Sequence, residues 1–141
     1  MYARGAIFGL TRGTKREHII RAAQESIAYQ VADLVACMEA DTGLKLRALK
    51  ADGGASRDSF LMQFQADVTG CTVLRPAIRE TTALGAAYLA GLATGVWADQ
   101  EELKQLWVCD TIYQPTADAE TREALMASWH KAVERCRGWA K

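Results

Sequence analysis

A short apolar run that stops on an acid and two glycines, with a helical pattern starting at once, leaves few folds open to this chain. The stretch is Leu46-Arg47-Ala48-Leu49-Lys50-Ala51-Asp52-Gly53-Gly54-Ala55-Ser56-Arg57-Asp58. It reads as a strand, a tight turn and a helix start, the unit from which open α/β sheets are assembled. Ligands of such sheets lie outside the carboxyl ends of the strands, where this turn would sit. Glycine tolerates positive φ and lets a ligand come close to the backbone. The helix beyond the turn would offer unpaired N–H groups and the positive end of a dipole, which suits phosphate. From these residues alone two readings stay open: a nucleotide or phosphate site, or a strand-to-helix turn that binds nothing.

The rest of the chain supports an α/β arrangement. Residues 5–16 carry Gly5, Gly9 and Gly13 around Ala6-Ile7-Phe8 and Leu10, and predict an irregular or short extended segment. Thr14 and Glu17 have capping-box spacing, and a helix to about residue 41 should follow. Its expected core stripe is Ile20, Ile27, Val31, Leu34 and Met38, widened by Ile19, Ala23 and Val35, with Gly43 as its stop. Residues 44–51 read as a strand with one face partly open, because Lys45, Arg47 and Lys50 interrupt it.

After the glycines, Ser56 or Asp58 can cap a helix with Phe60, Leu61, Phe64 and Val68 on one side and Gly70 at its end. A second strand covers 71–74 and ends at Arg75-Pro76. A helix over about 80–94 carries Gly85 and Gly91 on a small-residue surface; close packing on the preceding helix is the expected compensation. Asp99 caps a short helix through Leu103 to Trp107, residues 108–114 are extended before Pro115, and a last helix covers about 118–139. The last helix places Leu125, Trp129, Val133 and Cys136 on one stripe, opposite a charged, solvated face. Three extended segments make a small sheet, so the chain looks like part of a larger domain.

Composition removes several classes of function. Lys plus Arg and Asp plus Glu both number 17, so there is no broad basic field for nucleic acid or an anionic membrane. No apolar stretch approaches a membrane span, and the glycine-broken first ten residues do not resemble a signal peptide. Cys37, Cys71, Cys109 and Cys136 form no Cys-x-x-Cys pair; free thiols in a reducing cytoplasm are the expectation, with neither disulfides nor zinc. His18 and His130 lack a ligand-spaced partner and read as surface or helix-packing residues.

Three blocks, in order, resemble the carboxyl-terminal part of the FGGY family of carbohydrate kinases. Gly5-Ala6-Ile7-Phe8-Gly9-Leu10, followed after seven residues by His18-Ile19-Ile20-Arg21-Ala22-Ala23-Gln24-Glu25, is similar to that family's second signature. It departs at Gln24, where the pattern expects an apolar residue. Asp52-Gly53-Gly54-Ala55 with Phe60-Leu61-Met62-Gln63-Phe64-Gln65-Ala66-Asp67 resembles its nucleotide-site turn and helix. Glu80-Thr81-Thr82-Ala83-Leu84-Gly85-Ala86-Ala87-Tyr88-Leu89-Ala90-Gly91 resembles the form found in the glycerol kinase branch.

The resemblance implies a portion of a two-lobed, ribonuclease H-like (actin-like ATPase) fold with ATP in the cleft. Residues 1–141 would be a single unit, the later part of the second lobe, without the amino-terminal lobe. The implied reaction is Mg²⁺-dependent transfer of the γ-phosphoryl group of ATP to glycerol, giving glycerol 3-phosphate, a matter of alignment and charge neutralisation. By match, Gly53, Gly54, Ala55 and Asp58 would be nucleotide-binding. Asp58 stands where the branch commonly has an Asn against the nucleoside, and it lacks that amide's donors.

The resemblance assigns no catalytic residue and no metal ligand to this chain, since the glycerol site, general base and first phosphate loop belong to segments absent here. The isolated chain is therefore expected to be inactive. Its implied partners are ATP or ADP, the missing lobe and, through surface that lobe would cover, a second copy of itself. The alternatives are a non-catalytic interaction or dimerisation domain and a kinase for another polyol or sugar.

Overall fold

The computed structural model describes residues 2–140; Met1 and Lys141, the ends of the expected unit, lie outside the described residues. The elements follow in the order α1 (Arg16–Thr42), β1 (Ala48–Lys50), a 3₁₀ turn (Gly54–Arg57), α2 (Ser59–Thr69), β2 (Thr72–Pro76), α3 (Thr81–Thr94), α4 (Gln100–Gln105), β3 (Cys109–Tyr113) and α5 (Ala119–Cys136). β1 and β2 run parallel, with Leu49 opposite Val73, and α2 is the crossover that parallel neighbours require. β3 lies antiparallel on the other side of β2, with Val73 opposite Tyr113. Val73 is at the centre of the sheet and wholly buried, beneath Leu61, Met62 and Ala66 of α2 and beside Ala28 and Ala32 of α1.

Short acidic caps start three of the helices. Asp58 begins α2, Asp99 accepts from Glu101 N and Glu102 N at the start of α4, and Asp118 accepts from Thr121 N at the start of α5. Each satisfies amides that a helix N-terminus leaves without partners. α1 begins one residue later than the Thr14–Glu17 spacing predicts. Its cap is Lys15, whose N–H donates to His18 Nδ1 at 3.1 Å, while the Thr14 hydroxyl accepts from Thr11 N at 2.9 Å. His18 is thus a capping residue.

The buried face of α1 differs from the predicted one except at Val35, which is expected in the stripe and is buried. Ala28, Ala32 and Val35 are buried, whereas Ile20, Ile27, Leu34 and Met38 are exposed. The reason is the closeness of α2: small alanines let the two helices approach until buried Gln65 donates to the Ala28 carbonyl at 3.4 Å. Both faces have helical periodicity, and the larger side chains lie on the one turned outward. The first strand is also shorter than predicted, because Glu39 captures the incoming chain. Its carboxylate accepts from Leu46 N at 2.8 Å and pairs with Lys45 at 2.6 Å, which holds residues 44–46 off the sheet. Pro76 closes β2 from inside the strand, at a register shift beside Arg75, where no N–H is required of it.

The small surface of α3 does not seat on α2. Gly91 instead receives the indole of Trp97, and a Cβ built there would lie 2.0 Å from the ring. Tyr88 meets the same ring edge-on at 5.2 Å. A Cβ built at Gly85 would meet no described atom within 4 Å beyond its chain neighbours and the nearby helix backbone; the residue lines a groove of about 610 Å³ between α3 and α4, with Lys50, Ile78, Tyr88, Leu103 and Trp107. α5 packs through Leu125 and Met126, and Asp33 of α1 holds it by accepting from Trp129 Nε1 at 2.7 Å and facing His130 Nε2 at 2.7 Å. All four cysteines are free, and no helix of the described residues is long and apolar enough to cross a membrane.

Candidate functional site

The turn after β1 is fixed from three directions. Gly53 takes φ 76°, a left-handed conformation that favours glycine, and of the two glycines it alone uses this freedom. Its N–H donates to the Arg79 carbonyl at 2.9 Å, and its own carbonyl accepts from the hydroxyl of buried Ser56 at 2.7 Å. Ser56 in turn offers its carbonyl to Arg75 Nη1 at 3.3 Å. Arg75 lies on β2 and Arg79 just beyond it, so these bonds tie the carboxyl ends of two parallel strands together, where open α/β sheets place their ligands.

Arg75 is the connector. Its guanidinium holds Asp110 at 2.8 Å and donates to Thr111 Oγ1 at 2.7 Å, both on β3, while reaching Ser56 of the turn. The Arg75 and Thr111 hydrogen bonds keep the Asp110 carboxyl below the usual carboxylate range. A side chain only 12% exposed that makes all these bonds has one geometry to choose, and the turn inherits it.

The structure brings Gly53, Gly54, Ala55 and Asp58 into this one feature. Gly54 and Ala55 are exposed on its outer side, within the 3₁₀ turn that leads into α2. Asp58 has a different situation. One carboxylate oxygen accepts from Phe60 N at 3.0 Å and Leu61 N at 3.1 Å, and the other accepts from Gln24 Nε2. The negative charge that a helix N-terminus favours is therefore supplied from within the chain. A phosphate at the start of α2 would meet this carboxylate, which removes the phosphate version of the opening reading and leaves the backbone of residues 53–55 as the accessible face.

Ser56, Arg75, Arg79 and Gln24 all shape the site, and none of them reads as a site residue in the sequence; Ser56 is there a possible helix cap. Its hydroxyl serves the Gly53 carbonyl instead. Arg75 stood out only as the end of a strand, and Gln24 only as a departure from a pattern.

Comparison with known proteins decides the family. The model of the FGGY family of carbohydrate kinases, C-terminal domain, matches residues 2–94, the region that contains the turn. The chain belongs to the FGGY family of carbohydrate kinases. It is 61% identical over 139 residues to the glycerol kinase of Clostridium beijerinckii, covering 99% of this chain and 28% of that protein. It is 60% identical over 141 residues to the glycerol kinase of Caldanaerobacter subterraneus subsp. tengcongensis, covering 100% and 28%.

Among solved structures, Plasmodium falciparum glycerol kinase with ADP superposes with a TM-score of 0.86 at 36% identity, over 96% of this chain and 27% of that one. Xylulose kinase from Rhodospirillum rubrum gives a TM-score of 0.77 at 26% identity, over 96% and 28%. The FGGY chain thus spans little more than a quarter of the length of these relatives, and its fold is a portion of their ribonuclease H-like, actin-like ATPase architecture.

Proposed function

We propose that this chain is the nucleotide-side portion of an ATP-dependent glycerol kinase, with the backbone of Gly53, Gly54 and Ala55 forming the wall against the nucleoside. The observation that carries the reading is the agreement of two likenesses. Curated glycerol kinases match almost the whole of this chain at about 60% identity, over 28% of their own length, and a glycerol kinase solved with ADP is a structural neighbour at TM-score 0.86. The locked turn at the carboxyl ends of β1 and β2 supports it. Asp58 takes the part of a helix cap in this reading and shapes the wall, so Asp58→Asn, which keeps the capping oxygen, should preserve or improve nucleotide affinity.

Mg²⁺, when bound, would supply neutralisation of phosphate charge. Among the described residues no group of three or more His, Cys, Asp or Glu stands ready to hold a metal ion, and Asp58 fills the α2 N-terminus. By the family resemblance, the phosphates, their metal ion, glycerol and the general base belong to the part of the relatives that this chain does not span. The exposed face of Ile20, Ile27, Leu34 and Met38 is assigned to the same absent part. A chimera tests this directly: the preceding part of the Clostridium beijerinckii relative joined to this chain. Glycerol-dependent ADP formation by the chimera, with none from the 141-residue chain alone, is the expected result. A folded but inactive chimera, or turnover by the chain alone, would contradict it.

A further inference from the structure

The two positions at which this sequence departs from the patterns it resembles touch each other. Gln24 stands on α1 where an apolar residue is expected, and Asp58 stands at the start of α2 where an Asn is common; the Gln24 amide donates to the Asp58 carboxylate. Both side chains are half-buried in the contact between the helices. An apolar residue at 24 would leave that second oxygen facing α1 without a donor, a costly state for a partly buried anion. Next to the pair, Arg21 lies 5.2 Å over the Phe60 ring and binds Glu25 at 2.6 Å, which fixes the same turn of α1 over the start of α2.

We propose that Gln24 is a positioning residue for the nucleotide-side turn. It clamps the carboxylate of Asp58, and residues 24 and 58 form a pair matched in donors and acceptors that sets where the 53–58 turn stands. The role in nucleotide binding rests on the function proposed above; the pairing itself does not.

The amide of Gln can present either its N–H₂ or its oxygen. Gln24 can therefore bond the native Asp58 carboxylate, and it can equally bond the amide that Asp58→Asn introduces. With Gln24→Glu and Asp58→Asn combined, the donor and acceptor exchange helices and the bond survives. In all three cases one oxygen of residue 58 still caps α2. Gln24→Glu alone sets two carboxylates against each other. The test is a four-member cycle in the 141-residue chain: unsubstituted, Gln24→Glu, Asp58→Asn, and both together, each followed by thermal unfolding and by ADP titration.

Gln24→Glu alone should lower Tm by about 3–6 °C and weaken ADP binding roughly fivefold, and adding Asp58→Asn should restore both. If Gln24→Glu yields no folded protein, recovery of folded protein on adding Asp58→Asn supports the pairing, and failure to recover overturns it. Additive effects on Tm overturn the pairing. Coupling in Tm with one ADP affinity across all four overturns the positioning role. An unsubstituted chain with no ADP response removes the nucleotide reading and this role with it, while the Tm cycle still decides the pairing.

Discussion

Asp67 should carry more of the fold than any other single polar side chain here. Near the end of α2, one of its oxygens accepts from Thr116 N at 2.7 Å, Thr116 Oγ1 at 3.0 Å, Gln63 Nε2 at 3.1 Å and Ala117 N at 3.4 Å. The bonds from Thr116 and Ala117 pin α2 to the link between β3 and α5, and the one from Gln63 lies within α2. Burial pushes the Asp67 carboxyl up, but the hydrogen bonds from Thr116, Gln63 and Ala117 outweigh it, and the group titrates below its ordinary value. A hydrogen bond to a charged group contributes about 1.5–3 kcal/mol and a neutral one about 0.5–1.5 kcal/mol. Four donors share one oxygen, so the contributions do not simply add.

Asp67→Ala should therefore cost about 2–4 kcal/mol, since two backbone N–H groups lose their acceptor. Asp67→Asn keeps an acceptor and should cost only about 1 kcal/mol. For a domain of this size the alanine variant should melt roughly 10 °C lower, read by circular dichroism. The sign of the pH dependence follows from the depressed folded pKa. The stabilisation is fully present above the unfolded value of about 3.9 and is lost as pH falls through the lower folded value. The difference between the unsubstituted chain and Asp67→Asn should be constant at neutral pH and shrink below about pH 4. A loss under about 0.5 kcal/mol for Asp67→Ala, or a difference that grows on acidification, would refute the argument.

Two further outcomes follow from single contacts. Gly91→Ala gains about 1 kcal/mol of helix propensity but drives a methyl into Trp97; the net should be a loss of about 1–2 kcal/mol, with a shifted tryptophan emission, and unchanged emission would place Trp97 elsewhere. Arg75→Met keeps the stem and removes the donor to Ser56, and should cost about 1–2 kcal/mol while speeding amide exchange at residues 53–56; unaltered exchange there would mean that Arg75 does not hold the turn.

What the sequence revealed and what it concealed divide along physical lines. The capping acids Asp58, Asp99 and Asp118 act locally on amides two and three residues ahead, so the starts of α2, α4 and α5 were readable without a partner. The family and the turn at Gly53 and Gly54 were readable for the same reason, as contiguous blocks. The buried face of α1 was not, because Ala28 and Ala32 are buried by the nearness of α2, and periodicity favours the bulkier Ile20, Ile27 and Leu34. The partner of Gly91 was likewise concealed; small residues announce close packing but not what packs. Arg75, Arg79 and Gln24 reach the turn from β2, the segment after it, and α1, and such long-range hydrogen bonds leave no spacing signal.

The account stands on the claim that the backbone of Gly53, Gly54 and Ala55 is the nucleotide-facing surface of this chain. Titrating the isotopically labelled chain with ADP while following its amide resonances tests that claim residue by residue. The account predicts weak binding, with the largest shifts at residues 52–58 and smaller ones at Arg75 and Arg79. Shifts confined to the groove of Tyr88, Leu103 and Trp107, or no shift at the turn at millimolar ADP, would contradict it.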